Sequence, residues 1–383
     1  MFGNDKRIYH VLSAIIDESK GCNYSFCYMR NSSGKEWLFD DSSIKTVKWG
    51  VNIYEPQAIK GKVIKELLPY LYSLFEQKDI LGIKKINLKI SLDFLKLISD
   101  TYRVDIGKIH INLFLGTPSV HQKIVMQIDD GAKILGYVKL SDNEDVIESF
   151  RKETDCLKTL KSKGVQNISD ALFWGRIKNV GIFAQSSQKN KHAFSDPTLN
   201  MVVINFVRDL MKKTKTKVRW EDSDYYKLIS IEEADLSRLP NNKILLMNAI
   251  ELIKESHKEE VVVLYAAHGD FTPWNSFYNR KNDLYVFDFE YSMESCTAYY
   301  DLYHWFVSDC IFRLHYGYEQ IVDAFEKSII RRYVKNAEQL FVLYLLGIIC
   351  FYLKRDGENK SDDNQRNIEI WIKLLEHYGR WQE

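Results

Sequence analysis

The sequence predicts an α+β protein of two lobes, the first built on an antiparallel sheet and the second mainly helical. Between residues 104 and 140, three β-rich segments follow one another: IHINLFLG, KIVMQI and KILGYVKL. The last two are joined by DDGA, a turn rich in Asp and Gly as a hairpin requires. After the polar stretch SSQKNKHAFSDPT the chain becomes largely helical. We therefore divide it into residues 1–100, an N-terminal extension or small domain, residues 101–190, the sheet lobe, and residues 191–383, the helical lobe.

The composition is that of a globular protein without an obvious charged partner. The chain has 383 residues, of which 45% are hydrophobic and 27% charged, enough for a large core and two or three structural units. Its 53 Lys and Arg nearly balance its 52 Asp and Glu, so that no overall charge favours a nucleic acid or an anionic membrane. The six cysteines form no CxxC pair, and we expect small buried side chains in a reducing compartment.

Nothing in the sequence predicts a membrane anchor. The N-terminal segment MFGNDKRIYH is charged and lacks the apolar core of a signal peptide. The longest apolar run extends from Leu340 to Leu353 and contains Gly347. It is shorter than the roughly 17–25 residues that a membrane-spanning helix needs. We predict a buried helix there, no transmembrane segment, and a cytoplasmic protein.

The first half of the chain contains further predicted elements. Residues 1–100 include the strand-like runs YSFCYMR and KEWLFD and the helical segment GKVIKELLPYLYSLFEQ. A helix is predicted after the three strands, with Ser141 and Glu144 as a capping box and Gly164 as the C-terminal cap. FWGRI and VGIFAQ follow as two more strands. Residues 1–100 match no pattern that defines a role, and acceptor choice or partner contact is open for them.

One stretch, from Ala266 to Ser292, combines a hydrophobic strand with acid and amide side chains: AAHGDFTPWNSFYNRKNDLYVFDFEYS. Phosphoryl transfer to a hydroxyl needs a carboxylate that accepts the proton, oxygen ligands for Mg²⁺, and a Lys beside the phosphates. Asp270 is the candidate base, and Asn275 lies five residues later, so that one loop carries base and metal ligand. Asp288 is a further candidate ligand for Mg²⁺, a hard ion that prefers oxygen. If LYVFDFE is one strand, Asp288 and Glu290 point the same way, and Glu290 then supports a second metal ion or faces the acceptor.

The motif HGDFTPWN…VFDFE resembles the signature of the aminoglycoside phosphotransferase and choline kinase-like family, small-molecule kinases with the protein kinase-like fold. The resemblance covers roughly residues 104 to 310. It implies Asp270 as catalytic base, with His268 as the residue of the catalytic motif that orders the loop. It also implies Asn275 and Asp288 as Mg²⁺ ligands.

Details of the motif favour the small-molecule branch of this fold. Gly269 stands where protein kinases have Arg, and DFE replaces DFG. Asp301, followed by Leu302, resembles a downstream Asp of the family that supports the catalytic loop.

The resemblance also implies a Lys on the third strand that reaches the nucleotide phosphates and pairs with a helix Glu. Lys139 lies near the end of KILGYVKL. Glu153 falls within the apolar stripe of the following helix, three residues after Phe150 and four before Leu157. A carboxylate on a buried face is unfavourable unless it is paired, so Lys139 is the expected partner of Glu153.

The nucleotide-covering loop is expected in LGTPSVHQK, which contains a single glycine, Gly116. Thr117 and Ser119 offer hydroxyl or backbone N–H groups to phosphate. The adenine edge is expected to meet the backbone near Gln185 to Ser187. These residues leave ATP and GTP open as phosphoryl donors.

The sequence therefore predicts a Mg²⁺-dependent kinase that phosphorylates a hydroxyl of a small molecule. The acceptor is expected to be a sugar, aminocyclitol or cell-envelope saccharide, with aminoglycosides and choline-like alcohols still open. Trp274 either stacks on a sugar ring or packs internally, and His304 and His315 are expected in the core or at its rim rather than in catalysis. The alternative is a non-catalytic nucleotide-binding module that regulates or scaffolds an assembly. A protein kinase is disfavoured by DFE and by the missing Arg.

Overall fold

The structure, a computed structural model, divides into two compact units. It describes residues 6–31, 33–54, 59–71, 83–117, 119, 121–236, 239, 242–355 and 362–379. The first unit comprises Met1–Thr159 and Ile168–Ala193, and the second comprises Leu160–Asn167 and Phe194–Glu383.

The described residues of the first unit form an eight-stranded antiparallel sheet with helices beside it. Its strands are β1 Cys22–Arg30, β2 Glu36–Asp40, β3 Ile83–Ile90, β4 His110–Phe114, β5 Ile124–Asp129, β6 Ile134–Ser141, β7 Ala171–Ile177 and β8 Val180–Ser186. Its helices are α1 Lys6–Ser13, α2 Ile44–Gly50, α3 Ile59–Leu71, α4 Leu92–Tyr102 and α5 Glu144–Ser162, the last turn of which is grouped with the second unit. The strand order is β3-β1-β2-β4-β5-β6-β8-β7.

The predicted strands of the first half are confirmed. Strands β4, β5 and β6 are consecutive and antiparallel, with Leu113 opposite Met126 and Val125 opposite Lys139. FWGRI and VGIFAQ form β7 and β8, which pair with each other, and β8 also pairs with β6. Burial on β6 alternates over the first half of the strand and is complete over the second half, so that one face lies in the core throughout.

The N-terminal strands continue the same sheet. The predicted runs YSFCYMR and KEWLFD form β1 and β2, and β2 pairs with β4 through Trp37 opposite Phe114 and Leu38 opposite Leu113. Leu38 also belongs to the same hydrophobic core as Ile111 and Met126. Residues before and after position 100 are therefore joined by backbone hydrogen bonds and by a shared core. The predicted helix GKVIKELLPYLYSLFEQ is confirmed as α3 up to Leu71, and its last residues lie outside the described part of the chain.

Helix α5 is present as predicted, but the predicted capping box is wrong. The Asn143 Oδ1 accepts hydrogen bonds from the backbone N–H groups of Asp145 and Val146, so Asn143 caps the helix. Ser141 lies two residues too early, and its hydroxyl accepts from the Asn143 N–H. At the other end, Gly164 has φ +78° and follows the helix as a left-handed cap, as predicted.

The second unit is mainly helical. Its helices are α6 Met201–Thr214, α7 Asp224–Ile229, α8 Glu233–Leu236, α9 Lys243–Ser256, α10 Tyr300–Ser308, α11 Tyr318–Glu326, α12 Ile329–Tyr333, α13 Ala337–Arg355 and α14 Asp362–Tyr378. Its strands are β9 Thr216–Arg219, β10 Val261–Ala267, β11 Ser276–Tyr278, β12 Leu284–Val286 and β13 Met293–Cys296. Strands β13, β10 and β9 form one small sheet, and β11 and β12 form a hairpin.

Helix α13 contains the apolar run predicted as a buried helix, and that prediction is confirmed. The helix packs against α7, α10 and α14, and most of its side chains are buried. Among the described helices it alone is long and apolar enough to pass for a membrane span, and 61% of its apolar window is buried inside the protein.

Candidate functional site

The loop between β10 and β11 contains the HGDFTPWN motif and requires glycine at its second position. Gly269 has φ +82°, a conformation that residues with a side chain rarely adopt. A Cβ atom placed there would lie 2.0 Å from the backbone carbonyl oxygen of Tyr291. The loop thus lies directly against the chain after β12, and only glycine permits that approach.

A buried carboxylate from helix α10 holds the start of this loop. The Asp301 Oδ2 accepts from the His268 backbone N–H at 2.8 Å, and its Oδ1 accepts from the Gly269 N–H at 3.0 Å. Burial raises the pKa of Asp301, while these two hydrogen bonds and His268 oppose that shift. Asp301 therefore supports the loop in the way that the resemblance implied.

His268 orders the loop through both nitrogens of its ring. The backbone N–H of Asp270 donates to His268 Nδ1 at 3.2 Å, so that the hydrogen resides on Nε2. The Nε2 then donates to the carbonyl oxygen of Phe287 at 2.9 Å. His268 is completely buried, and it links the loop to the segment that precedes Asp288. These contacts agree with the loop-ordering place that the resemblance implied for His268, and its part in catalysis stays a prediction.

The Asp270 side chain is held by two donors and is still accessible. The Asn275 Nδ2 donates to Asp270 Oδ2 at 2.8 Å and to the Asp270 carbonyl oxygen at 2.9 Å. The His304 Nε2 contacts Asp270 Oδ1 at 3.0 Å. The Asp270 side chain remains 36% exposed, as a base that receives a proton from a ligand must be.

His304 is the site residue that sequence reasoning assigned to the core or rim. It is buried, but its ring contacts the candidate base. A usable signal was its place three residues after Asp301, because residues three apart lie on the same face of a helix. Helix α10 thus contacts the loop twice, through Asp301 at its start and through His304 at Asp270.

Asp288 lies beyond the end of a strand, which corrects the prediction that LYVFDFE is continuous. Strand β12 ends at Val286, and Asp288 has φ +71°, so the chain leaves the extended conformation there. The alternation argument for Asp288 and Glu290 therefore fails, and Glu290 lies in the following turn. A residue other than glycine in the left-handed region costs about 1–3 kcal/mol, and such residues cluster at functional sites.

The structure brings Asn275 and the Asp288 segment together. The backbone N–H of Phe287 donates to the Asn275 carbonyl oxygen at 3.1 Å. The two side-chain hydrogen bonds of Asn275 use Nδ2, which leaves Oδ1 as the atom that suits a cation. Among the described residues no three His, Cys, Asp or Glu side chains are grouped as a metal site. One carboxylate and one amide oxygen still fit Mg²⁺, because this ion usually keeps several waters and binds substrate phosphates.

The predicted ion pair between Lys139 and Glu153 is confirmed in the first unit. The Lys139 Nζ on β6 lies 2.6 Å from Glu153 Oε2 on α5, and their side chains are 4% and 0% exposed. The Lys139 ammonium also lies 5.6 Å from the centre of the Phe183 ring. Because both charges are buried, each depends on the other for its stability.

The loop after β4 is shaped by its glycine. Gly116 has φ +85°, and a Cβ atom there would lie 2.3 Å from the Lys123 carbonyl oxygen. Thr117 and Ser119 are exposed, so their hydroxyl groups are accessible to a ligand.

The strand end expected to receive adenine is already hydrogen-bonded within the protein. The Gln185 carbonyl accepts from the Tyr102 hydroxyl, and the N–H groups of Ser186 and Ser187 donate to Asp170 and Leu135. The Gln185 side chain is buried. These groups are thus used within the protein, and an adenine contact near Gln185 to Ser187 stays a prediction.

Comparison with known proteins identifies the fold. No protein-family model matches the chain, and no curated protein sequence matches it. A thermostable mutant of aminoglycoside phosphotransferase APH(4)-Ia, in its apo form, is similar with a TM-score of 0.51 and 12% identity over 75% of this chain and 99% of that one. The chain therefore shares the fold of that phosphotransferase, as the resemblance implied.

Two other solved structures are similar at lower scores. Choline kinase LicA from Streptococcus pneumoniae has a TM-score of 0.48 and 16% identity over 74% of this chain and 99% of its own. The GDP and kanamycin complex of APH(2")-IIia has a TM-score of 0.44 and 13% identity over 76% of this chain and 100% of its own.

Proposed function

We propose that this protein is a small-molecule kinase, which transfers the γ-phosphoryl group of ATP or GTP to a hydroxyl group with the help of Mg²⁺. The observation that carries the proposal is the Asp270 carboxylate, fixed by Asn275 and His304 yet 36% exposed. It lies on a loop whose backbone N–H groups at His268 and Gly269 donate to the buried Asp301 carboxylate. The fold shared with an aminoglycoside phosphotransferase supports the same reaction class.

Each residue has a definite part in this chemistry. The acceptor oxygen attacks the γ-phosphorus as the bond to the bridging oxygen breaks, and the nucleoside diphosphate leaves. Asp270 accepts the proton of the acceptor hydroxyl. Asn275 Oδ1 and the Asp288 carboxylate would hold Mg²⁺, which when bound supplies positive charge to the phosphates. Lys139, oriented by Glu153, neutralises further phosphate charge.

We infer a saccharide as the acceptor from two aromatic side chains beside the catalytic loop. Trp274 lies four residues after Asp270 and is 39% exposed, and Phe312 is 40% exposed. Their rings meet edge to face, with centroids 6.0 Å apart. Exposed aromatic rings offer an apolar surface to the C–H groups of a sugar, although they also attract quaternary ammonium groups.

The helical segment that carries Phe312 links this aromatic pair to the base. Phe312 lies in the π-helical turn Asp309–Arg313, which continues α10, and α10 carries His304 on Asp270. Eight residues separate His304 from Phe312, about 12 Å along a helix. Such π-helical turns frequently occur at functional sites. A sugar that stacks one ring on the aromatic pair would therefore be long enough to bring a hydroxyl group to Asp270.

The test is phosphoryl transfer from ATP or GTP, with Mg²⁺, to a panel of sugars, aminocyclitols, aminoglycosides and choline. We expect transfer to a saccharide, with a fall in kcat of about 10²- to 10⁴-fold in Asp270→Asn, because the variant cannot accept the proton. Trp274→Ala should raise the KM of the acceptor more than it changes kcat.

Three results would contradict parts of the proposal. Turnover that survives in Asp270→Asn would show that another group is the base. Transfer to choline but to no saccharide would refute the acceptor. Mg²⁺-dependent nucleotide binding without transfer to any acceptor would favour a non-catalytic nucleotide-binding module.

A further inference from the structure

Both oxygens of the Asp270 carboxylate are engaged, and one of their partners comes from outside the loop. Oδ2 accepts from Asn275, which belongs to the HGDFTPWN motif. Oδ1 lies 3.0 Å from His304 Nε2, and since an ionised carboxylate only accepts, the imidazole is the donor. The candidate base is thus clamped between its own loop and helix α10.

The protonation pattern of His304 is set by a second buried residue. With the hydrogen on Nε2, the Nδ1 of a neutral ring is an acceptor. The Tyr344 hydroxyl lies 3.2 Å from this Nδ1 and is the matching donor. Tyr344 is fully buried on α13, and burial raises its pKa well above the usual value, so its hydroxyl keeps its proton. Two hydrogen bonds of the same direction therefore link the three residues: the Tyr344 hydroxyl donates to His304, and His304 donates to Asp270.

This arrangement is unlike that of a histidine that only fills the core. A packed His needs its two nitrogens satisfied, and any buried carbonyl or hydroxyl would serve. Here one nitrogen is directed to the single carboxylate of the loop that is more than one-third exposed. His304 is itself only 5% exposed, so the ring cannot turn to solvent and release Asp270. The contact fixes the direction of the carboxylate as well as the histidine.

We propose that His304, held by Tyr344, is a positioning residue for Asp270 in the phosphoryl transfer proposed above, on which this inference rests. A carboxylate with one fixed oxygen can still rotate about its Cβ–Cγ bond. Donors on both oxygens stop that rotation. Each carboxylate oxygen has two lone pairs, so one that accepts no hydrogen bond from the protein is still directed to the exposed side, where a hydroxyl can approach. Correct orientation of a catalytic group removes part of the entropic barrier to the reaction.

Three variants separate positioning from packing. His304→Leu keeps an apolar group of similar size but no donor. His304→Gln places an amide N–H near the position of Nε2. Tyr344→Phe keeps the ring and removes only the hydroxyl that fixes the imidazole. The readouts are kcat, the KM values of nucleotide and acceptor, and thermal unfolding of the full chain.

We expect kcat to fall about 10- to 100-fold in His304→Leu while both KM values stay within about twofold, the pattern of an interaction needed in the transition state. His304→Gln should recover most of this loss. Tyr344→Phe should lower kcat by roughly three- to tenfold, because the ring keeps its contact but loses its fixed tautomer.

Other outcomes overturn the inference. If kcat per folded molecule is unchanged in His304→Leu, or if Gln is no better than Leu, the residue serves packing alone. Should His304→Leu fail to fold, Tyr344→Phe decides, and unchanged kcat in that variant refutes the proposal. A wild-type protein that transfers phosphate to no acceptor would refute the proposed function and this inference together, whereas an active one with unaffected variants refutes only the inference.

Discussion

Glycine at position 269 is dictated by sterics as well as by backbone conformation. The loop lies so close to Tyr291 that a Cβ atom would meet a backbone carbonyl, which cannot move aside as a side chain could. The arginine found at this position in protein kinases is therefore incompatible with this chain. The difference from the protein kinase motif at this position thus has a local steric cause.

Gly269→Ala should lower the free energy of unfolding by at least about 1–3 kcal/mol and reduce turnover, because it strains the backbone next to the base. Gly107→Ala is the matched control, since nothing lies within 4 Å of a Cβ there. We expect that control to stay within about 0.5 kcal/mol of the wild type. Urea unfolding of both variants checks the prediction, which fails if they behave alike.

Lys139 and Glu153 form a buried pair whose stability and function can be separated. Lys139→Met alone should destabilise the protein by about 3–5 kcal/mol, because it leaves a buried carboxylate without its partner. The double variant Lys139→Met with Glu153→Leu should recover much of this loss. Neither variant should have normal turnover, since the Lys139 ammonium is missing from the phosphates in both.

Denaturant unfolding and steady-state kinetics of the single and double variants measure these two effects. A double variant as unstable as the single one would show that the charge pair is not the cause of the loss. Normal turnover in either variant would exclude Lys139 from nucleotide binding.

At the scale of elements, the junction of β2 with β4 contains a partly buried histidine–carboxylate pair. The His110 Nδ1 on β4 lies 2.9 Å from Asp40 Oδ2 on β2. This hydrogen bond raises the pKa of His110, and burial opposes the shift. Asp129, opposite His110 on β5, has a pKa raised by burial to about 6. The N-terminal strands are thus attached through groups that titrate near neutral pH.

The free energy of unfolding should therefore fall as the pH rises from about 6.5, the unfolded value of His, through the raised pKa of folded His110. The folded state binds its proton more tightly, so the stabilisation is complete at lower pH and is lost on deprotonation. His110→Asn should not show this loss. Asp129 titrates at lower pH, and measurements between about pH 6.5 and 8.5 separate the two. Parallel curves for the wild type and the variant would refute the assignment.

Among the elements, strands and helices with clear burial periods were predicted, whereas the start of α5 and the end of β12 were not. Helix α5 follows a helical pattern over many residues, and strand β7 alternates between partly buried and exposed residues along its whole length. The end of β12 is different, because LYVFDFE alternates well as a sequence but turns at Asp288, with φ +71°. That turn depends on bonds from Phe287 to His268 and Asn275, which no local pattern encodes.

For the whole molecule, nucleotide binding should appear as Mg²⁺-dependent stabilisation. A ligand at 100 times its Kd adds about 2.7 kcal/mol to the free energy of unfolding. We expect ATP or GTP to raise Tm only with Mg²⁺, and chelation to abolish the shift. Asp288→Asn should lose it, whereas Asp270→Asn should keep it, because the base is not needed for binding. Equal shifts with and without Mg²⁺ would contradict the metal assignment.

The sequence by itself determined the fold class, the loop with Asp270 and Asn275, and the pairing of Lys139 with Glu153. These follow from burial periods, from the spacing of residues within short segments, and from the resemblance to a known family, which implied the Lys on the third strand. Tertiary structure alone decided that His304 and Tyr344 stand behind Asp270, that Phe312 meets Trp274, and that the N-terminal strands join the sheet of β4. Those contacts join segments far apart in the chain, and their geometry depends on how whole elements pack.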